Sequence, residues 1–281
     1  MLNLFRRSAV KPAQLRSALE DLGVGGQVAI AHTSLSAFGY VEGGAQGMGE
    51  ALVSSLRTLL MPAFTYYTLV WPPERAQPDW PQPPPRSRVA FCQDSRISPD
   101  IGRVAQWLAD QPGRLRSAHP ALSFAAIGPD AENLLRGQTL ENPYGPIGEL
   151  YRLDGLVILL GVDHRSNTSM HYGEYLAGQA LLPRYVMVGE EVRETYFPNC
   201  SAAFDRIAPL LSGRSLRLEQ GRIAVFRVRE VVDTTTEVIL RDPEALLCNY
   251  LGCRCQQVRT LVRRFGLRPR LPAPQPEVRE E

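Results

Sequence analysis

The sequence of 281 residues has little excess charge, few cysteines and no long apolar run. Its 31 basic side chains are balanced by 29 acidic ones, for a net charge of +2, so nucleic acid and anionic membrane surfaces are not expected partners. Five cysteines in a chain of this length do not indicate a disulfide framework. Without an apolar stretch of about 18 residues, a membrane-spanning helix is not predicted.

Signals for export and for nucleotide binding are also missing. Arg6 and Arg7 are not followed by the apolar segment of a signal peptide, so we expect a cytoplasmic protein, either a monomer or a homodimer. No phosphate-binding G-x-x-x-x-G-K-[ST] motif is present. The glycines at positions 43, 44, 47 and 49 do not have the G-x-G-x-x-G spacing of a dinucleotide site.

Strand-like and helix-like segments alternate along the chain. The unbroken apolar run at 156–162 is typical of a strand that is covered on both faces in a parallel sheet. This alternation predicts an α/β domain with a mainly parallel or mixed sheet. Strands are predicted at 27–31, 58–61, 156–162 and 222–229, and helices at 12–22, 48–57, 101–108, 168–177 and 242–247.

The sequence predicts a single domain followed by a C-terminal tail. One α/β domain is expected over residues 1–267, followed by a flexible tail over 268–281 whose prolines and charges favour fraying. Seven prolines between positions 71 and 85 remove so many backbone donors that this segment is predicted to be an inserted loop.

One pair of side chains has the spacing of a catalytic device. His171 and Glu174 stand three residues apart in a predicted helix, so they share one face. A carboxylate beside an imidazole holds it in one tautomer and stabilises its protonated form. The pair follows the strand at 156–162, at the end where ligands of open α/β sheets bind. A general base with its orienting partner is predicted, although an ion pair without a catalytic role stays open.

Two turns carry hydroxyl or guanidinium groups that can bind phosphate. The turn H-T-S-L-S at 32–36 follows a strand, where hydroxyls and free amides can hold phosphate oxygens, although serine is also a common turn former. In the segment G-R-L-R-S-A-H-P-A-L-S at 113–123, Arg114 or Arg116 can either clamp a phosphate or cap the preceding helix.

A histidine and carboxylate group suggests a metal site only weakly. Asp163, His164, His171 and Glu174 have the spacing D-H-x6-H-x2-E, which matches no common ligand pattern. A metal-dependent hydrolase that uses the first three residues therefore stays open as an alternative function.

Three cysteines near the C-terminus also fall short of a metal motif. Cys248, Cys253 and Cys255 have C-x4-C-x-C spacing, which lacks a fourth ligand and the usual C-x2-C pair. We therefore expect free, partly buried thiols and no bound metal, and their role stays open.

Four segments resemble the aminoglycoside 3-N-acetyltransferase family in sequence and in order. They are VAIAHTSLSAFG, TLLMPAFTY, RLRSAHPALSFAAIGPDA and GVDHRSNTSMHYGEY, and the resemblance extends over roughly residues 15–247. It implies a three-layer α/β/α sandwich with a large central sheet. It also implies transfer of an acetyl group from acetyl-CoA to the 3-amino group of the 2-deoxystreptamine ring of an antibiotic.

The resemblance implies roles for individual residues. The histidine of the N-T-x-x-H-x-x-E block is the general base in that family and the glutamate orients it, which places these roles on His171 and Glu174. The chemistry needs a single positioned base and no metal. The expected CoA contacts are Ser34, Leu35, Ser36, Thr65, Arg116 and Ser123. The expected substrate contacts are Asn167 and Thr168, with Asp163 and Glu149 as carboxylates for a polycationic substrate.

Other functions remain compatible with the sequence. The acceptor can be an amine-bearing metabolite other than an antibiotic. The chain can also be a binder that keeps the fold without catalysis, although the intact pair of His171 and Glu174 argues against that. The amides that would hold the oxygen of the tetrahedral intermediate lie either in the H-T-S-L-S turn or in the M-P-A-F-T turn.

Overall fold

A computed structural model describes residues 9–70, 89–197 and 200–270, so the loop predicted at 71–85 lies outside the described residues. The strands are β1 (Val28–Thr33), β2 (Thr58–Pro62), β3 (Leu69–Val70), β4 (Leu115–Arg116), β5 (Phe124–Ile127), β6 (Leu156–Leu160), β7 (Leu182–Val188), β8 (Glu191–Phe197), β9 (Arg214–Leu218) and β10 (Gly221–Arg227). The α-helices are α1 (Pro12–Asp21), α2 (Gly44–Ser55), α3 (Arg103–Ala109), α4 (Ala131–Arg136), α5 (Gly145–Arg152), α6 (Ser169–Leu176), α7 (Val228–Arg241) and α8 (Cys255–Phe265). None of these helices is long and apolar enough to cross a bilayer.

Seven strands form one central mixed sheet in the order β4-β5-β2-β1-β6-β10-β9. The middle strands β2, β1 and β6 are parallel, and the strands on either side of them are antiparallel. The predicted mixed sheet is confirmed. Its three parallel strands end at one edge, and this edge positions the functional site.

Alternating side chains of the central strands contribute to two hydrophobic cores, one on each face of the sheet. Ile30 and Val157 face the core formed with α4, α5, α6 and α7. Ala31 and Ile158 face the opposite core, formed with α1, α2 and α3. Because a strand side chain points to opposite faces at successive positions, the sheet is covered on both sides. The expected three-layer α/β/α architecture is confirmed.

The C-terminal part of the sequence prediction was wrong. Residues 242–247 form turns rather than a helix, and the helix that precedes them, α7, was missed. Valine and threonine are frequent in α7, and these types favour strands. The buried side chains nevertheless recur at helical spacing, and tertiary packing decides the outcome. The buried residues of α7 are Val228, Val231, Val232, Thr235 and Ile239.

The start of the predicted flexible tail contacts the body of the protein. The backbone N–H of Arg268 donates to the Gly178 carbonyl at 3.1 Å, and that of Arg270 donates to the Leu176 carbonyl at 2.8 Å. Residues 268–270 therefore pack against the C-terminal end of α6 and belong to the folded domain. The rest of that segment lies outside the described residues.

A buried histidine connects the central sheet to a second sheet of order β3-β7-β8. His119 Nδ1 accepts hydrogen bonds from the backbone N–H groups of Ala121 at 3.2 Å and Leu122 at 3.0 Å. Its proton therefore lies on Nε2, which donates to Thr195 Oγ1 on β8 at 3.0 Å. Burial lowers the pKa of His119 to about 4, because the neutral ring matches both partners and the charged ring is desolvated.

The titration of His119 predicts a loss of stability in acid. Its pKa is about 4 in the folded state, against an ordinary value of 6.5. Between about pH 4 and pH 6.5, this histidine is protonated in the unfolded chain but not in the folded one. The free energy of unfolding therefore falls as the pH is lowered. One such group contributes at most about 1.4 kcal/mol per pH unit. We expect His119→Asn, whose amide oxygen replaces Nδ1 as acceptor, to show a shallower loss when urea unfolding is measured across this range.

The control for this experiment keeps the ring and removes its partner. Thr195→Val should lower the free energy of unfolding at every pH while retaining the parent's dependence on pH, because His119 still titrates. An unchanged dependence on pH in His119→Asn would contradict the assignment.

Candidate active site

The carboxyl ends of the parallel strands open on a cavity of about 870 Å³, which lies within the range of roughly 300–1,000 Å³ usual for ligand sites. The segments that follow β1, β2 and β6 form its wall. Ligands of open α/β sheets bind at this edge because the chain turns there expose free backbone and side-chain groups.

His171 and Glu174 meet at this cavity. Both lie on α6, and His171 Nδ1 lies 2.6 Å from Glu174 Oε2. When Glu174 is ionised, its carboxylate accepts this hydrogen bond, which puts the ring proton on Nδ1 and leaves the Nε2 lone pair available. His171 lines the cavity, whereas Glu174 is only 3 % exposed and lies behind it. The arrangement is that of a base and the group that orients it.

Two aromatic side chains restrict the His171 ring. Tyr144 stacks on it with ring centroids 5.5 Å apart and an interplanar angle of 25°. Phe204 packs against it at 4.8 Å with an angle of 60°. Because aromatic contacts on two sides leave the ring little room to turn, the Nε2 atom has a defined position.

The burial of Glu174 has an electrostatic consequence. Desolvation raises the pKa of this carboxyl, and the neighbouring His171 imidazole opposes that shift. A buried carboxylate gains most from a partner that becomes positively charged. The pair is therefore built to stabilise the imidazolium that forms when His171 takes up a proton.

The sequence analysis missed the role of His32, at the end of β1. His32 lines the cavity and its Nε2 accepts a hydrogen bond from the Thr168 N–H at 3.4 Å. Burial is the main reason that the pKa of His32 falls to about 3, and the nearby His171 and His164 add to it. His32 is therefore neutral and serves as an acceptor that holds the start of α6. Its place at the end of a predicted strand was the available signal.

Asn167 organises the turn before α6. Its Oδ1 accepts from the Ser169 N–H at 3.1 Å, and its Nδ2 lies 3.2 Å from His164 Nδ1. Asn167 and Thr168 both line the cavity. Both predicted substrate contacts therefore line the cavity, and each also supports the helix that carries His171.

The predicted CoA contacts Ser34, Leu35 and Ser36 all line the cavity. They lie at the carboxyl end of β1, where the two serine hydroxyls are 3.2 Å apart. Gly161, after β6, allows this turn to pack closely: its φ is +70°, and a Cβ there would lie 2.8 Å from the Ser34 carbonyl oxygen. The geometry therefore requires glycine at position 161.

Three other predicted CoA contacts lie outside the cavity lining. The Thr65 hydroxyl donates to the Pro120 carbonyl. The Ser123 hydroxyl donates to the Ala63 carbonyl at 2.7 Å, and Arg116 donates to the same oxygen at 2.8 Å. These side chains hold together the loops behind the cavity wall. We therefore leave Thr65, Arg116 and Ser123 out of the proposed cofactor contacts.

The two carboxylates predicted for a polycationic substrate are engaged elsewhere. Glu149 accepts from Arg152 Nε at 2.9 Å, and Asp163 accepts from Arg165 at 2.6 Å. Neither lines the cavity. Among the described residues, Asp100 is the one carboxylate side chain that lines the cavity. It is exposed, and the sequence analysis did not single it out.

Two arginines at the cavity were also missed. Arg103, the first residue of α3, and Arg165, after β6, both line the cavity and are exposed. Arginine binds phosphate through paired N–H groups. Nothing in their local sequence separates them from the other arginines of this chain.

The metal-dependent hydrolase hypothesis finds no geometric support. Within residues 9–70, 89–197 and 200–270, the histidine and carboxylate side chains do not bring three ligand atoms together. His164 packs instead against Phe226, with ring centroids 4.8 Å apart. Asp163 and His171 therefore do not share an ion with His164.

Comparison with known sequences identifies relatives. Residues 30–239 match the family described as aminoglycoside 3-N-acetyltransferase. Aminoglycoside N(3)-acetyltransferase IV of Salmonella sp is 33% identical over 247 residues, which cover 83% of this chain and 88% of that protein. Aminoglycoside N(3)-acetyltransferase IX of Micromonospora chalcea is 37% identical over 181 residues, which cover 60% of this chain and 63% of that protein, less than two thirds of its length.

Solved structures give the same result. A variant of aminoglycoside acetyltransferase AAC(3)-IVa in complex with a gentamicin has a TM-score of 0.75 and 26% identity, covering 91% of this chain and 99% of that one. AAC-IIIb bound to CoASH has a TM-score of 0.67 at 22% identity, covering 83% and 97%, and supports the fold alone. The resemblance stated from the sequence is confirmed. The chain belongs to the aminoglycoside 3-N-acetyltransferase family, a family of acyltransferases.

Proposed function

We propose that this chain transfers the acetyl group of acetyl-CoA to the 3-amino group of an aminoglycoside, with His171 as the general base. The observation that carries the proposal is the contact between His171 Nδ1 and the buried Glu174 at the cavity. The gentamicin in the AAC(3)-IVa structure supports an aminoglycoside as acceptor, and membership of the acetyltransferase family supports an acetyl donor. Acetylation converts a charged amine into a neutral amide and so removes one positive charge from the antibiotic, and we propose that this loss of charge confers resistance.

The proposed reaction moves one proton through His171. The amine nitrogen attacks the thioester carbonyl carbon, and its proton passes to His171 Nε2. Glu174 stabilises the imidazolium that results. The tetrahedral intermediate then collapses, the C–S bond breaks, and the CoA sulfur leaves as a thiolate that takes the proton from the His171 imidazolium, which restores the neutral base. A positioned base of this kind contributes roughly 10²–10⁴-fold to the rate.

The oxygen of the tetrahedral intermediate requires N–H donors, and the hydrogen bonding favours one of the two candidate turns. In the M-P-A-F-T turn, the Ala63 amide already donates to Ser123 and the Thr65 amide to Ala121. Leu35 and Ser36 begin a short 3₁₀-helix, Leu35–Phe38, and line the cavity. The first amides of a helix have no acceptor within it. We therefore assign the oxyanion to the amides of Leu35 and Ser36.

Charge at the cavity supports the placement of both substrates. Arg103 offers a guanidinium group for the phosphates of CoA, whereas Arg165 is paired with Asp163. Asp100 offers a carboxylate for an ammonium group of the acceptor. Because acetyl-CoA is available in the cytoplasm, we place the reaction there.

The first test measures acetylation directly. Purified protein, acetyl-CoA and gentamicin or apramycin should give CoASH release and a product with one added acetyl group at N3, detected by mass spectrometry and NMR. We expect His171→Ala to lower kcat by roughly 10²–10⁴-fold. Glu174→Gln should lower kcat to a similar degree, because an amide does not stabilise the imidazolium.

The matched control is Glu132→Gln, which neutralises an exposed carboxylate on α4 that is paired with Arg136. Its kcat should equal that of the parent. His171→Ala with turnover within a few-fold of the parent would refute the role of the base. Acetylation of other amines, with none of an aminoglycoside, would keep the reaction and change the acceptor.

A second test concerns the CoA phosphates. Arg103→Gln should raise KM for acetyl-CoA by about tenfold with little change in kcat, because a contact made equally in ground state and transition state affects binding alone. Arg136→Gln removes a comparable exposed charge from α4, outside the cavity lining, and should leave KM unchanged. Equal KM values for the two variants would remove Arg103 from the CoA site.

A further inference from the structure

The fold gathers four cysteines that are spread along the sequence. Cys200 follows β8, Cys248 and Cys253 lie between α7 and α8, and Cys255 is the first residue of α8. We propose that these four thiolates bind one structural zinc ion. The proposal does not rest on the proposed function, because its evidence is the cysteine geometry and none of the four cysteines lines the large cavity.

The distances among the sulfur atoms fit a tetrahedral site. All four Sγ atoms lie within 4.8 Å of one another, and Cys200 Sγ is 3.8 Å from Cys248 Sγ. With a Zn–S distance of about 2.3 Å, two ligands of a tetrahedral zinc ion are about 3.8 Å apart. None of the four cysteines forms a disulfide. The cluster therefore has the ligand number, ligand type and spacing that zinc requires.

The cysteines of the C-x4-C-x-C segment are free and at least partly buried, as expected, but Cys200 supplies the fourth ligand that this segment lacks. Cys200 stands 48 residues before Cys248. It was not a candidate because no local spacing relates the two. Only the packing of the segment after β8 against the C-terminal region brings them together.

The surroundings of the cluster are suited to a bound metal. The Ala202 N–H donates to Cys200 Sγ at 3.4 Å, a contact that stabilises a thiolate ligand. Arg259 donates to the Cys248 carbonyl at 3.3 Å and to Glu244 at 2.8 Å, which holds the loop before the site. Thiolate ligands without histidine or carboxylate favour a closed structural zinc site over a catalytic one.

The position of the cluster shows what the ion would stabilise. The apolar core beneath α8 is small, with Leu182, Leu247, Val258 and Val262 as its large buried members. Cysteine ligands from three chain segments would tie α8 to the rest of the domain. A small cavity lined by Cys200 and Cys255 is also lined by Glu174, so the metal site would support the buried side of the catalytic pair.

The test is a metal analysis of the intact protein. The protein is produced in medium supplemented with Zn²⁺ and purified without chelators, and metals are measured by mass spectrometry. We expect about one zinc per chain. Cys200→Ser and Cys253→Ser should lose the zinc and have a lower Tm than the parent. Cys92→Ser is the control: it removes an exposed thiol outside the cluster and should retain the zinc.

A second measurement does not depend on the variants folding. X-ray absorption at the zinc edge of the parent protein should give four sulfur neighbours at about 2.3 Å. Parent protein without stoichiometric zinc would overturn the proposal. So would iron in place of zinc, a disulfide among the four cysteines in peptide mapping, or a zinc ion bound by nitrogen and oxygen.

Discussion

The hydrogen bond between His171 and Glu174 is the constraint on which the rest of the site depends. A carboxylate 3 % exposed is costly to keep charged, and the imidazole beside it offsets that cost. Several elements support this bond. β6 ends at the edge of the sheet, shortly before α6 begins. His32 and Asn167 hold the first turn of α6 through hydrogen bonds, and Tyr144 stacks on the His171 ring and restricts it. The outcome is one nitrogen with a lone pair that faces a large cavity.

Sequence periodicity predicted the α/β class because the central strands are buried on both faces, whereas the three-layer architecture was implied by the family resemblance. The apolar run at 156–162 and the helical spacing in α6 are local signals, and local signals predict local elements. α7 was missed because its valines and threonines favour a strand, and only the packing of its buried face selects the helix. The pair of His171 and Glu174 could be proposed because a spacing of three residues fixes their proximity on a helix.

The candidate contacts that are distant in sequence were harder to predict. Ser34 and Ser123 have the same chemistry, yet Ser34 lines the cavity while Ser123 donates to the Ala63 carbonyl. Arg116 donates to backbone carbonyls, whereas Arg103 faces the cavity. Which partner a hydroxyl or guanidinium finds depends on tertiary contacts. The same reason hid Cys200 from the group at 248–255.

The proposed active site and the proposed zinc site have different roles, one in the chemistry and the other in supporting the fold. In the proposed function, the large cavity contains the base, the turn amides and the charges that an acyl transfer needs. The cysteine cluster lies on the other side of Glu174, next to the small core beneath α8. Glu174, the proposed orienting carboxylate, lies between the two and lines the small cavity beside the cysteines. A rigid surrounding suits a group whose proposed task is to orient its neighbour.

The most direct test of the account is the tautomer of His171. The protein is labelled with ¹⁵N-histidine, and the NMR chemical shifts of the His171 ring nitrogens are assigned by comparison with His171→Ala. At the pH of turnover they should show a protonated Nδ1 and an unprotonated Nε2. Glu174→Gln should change this pattern. A His171 ring that carries its proton on Nε2 in the parent protein would contradict the account, because that nitrogen could not accept a proton from the amine.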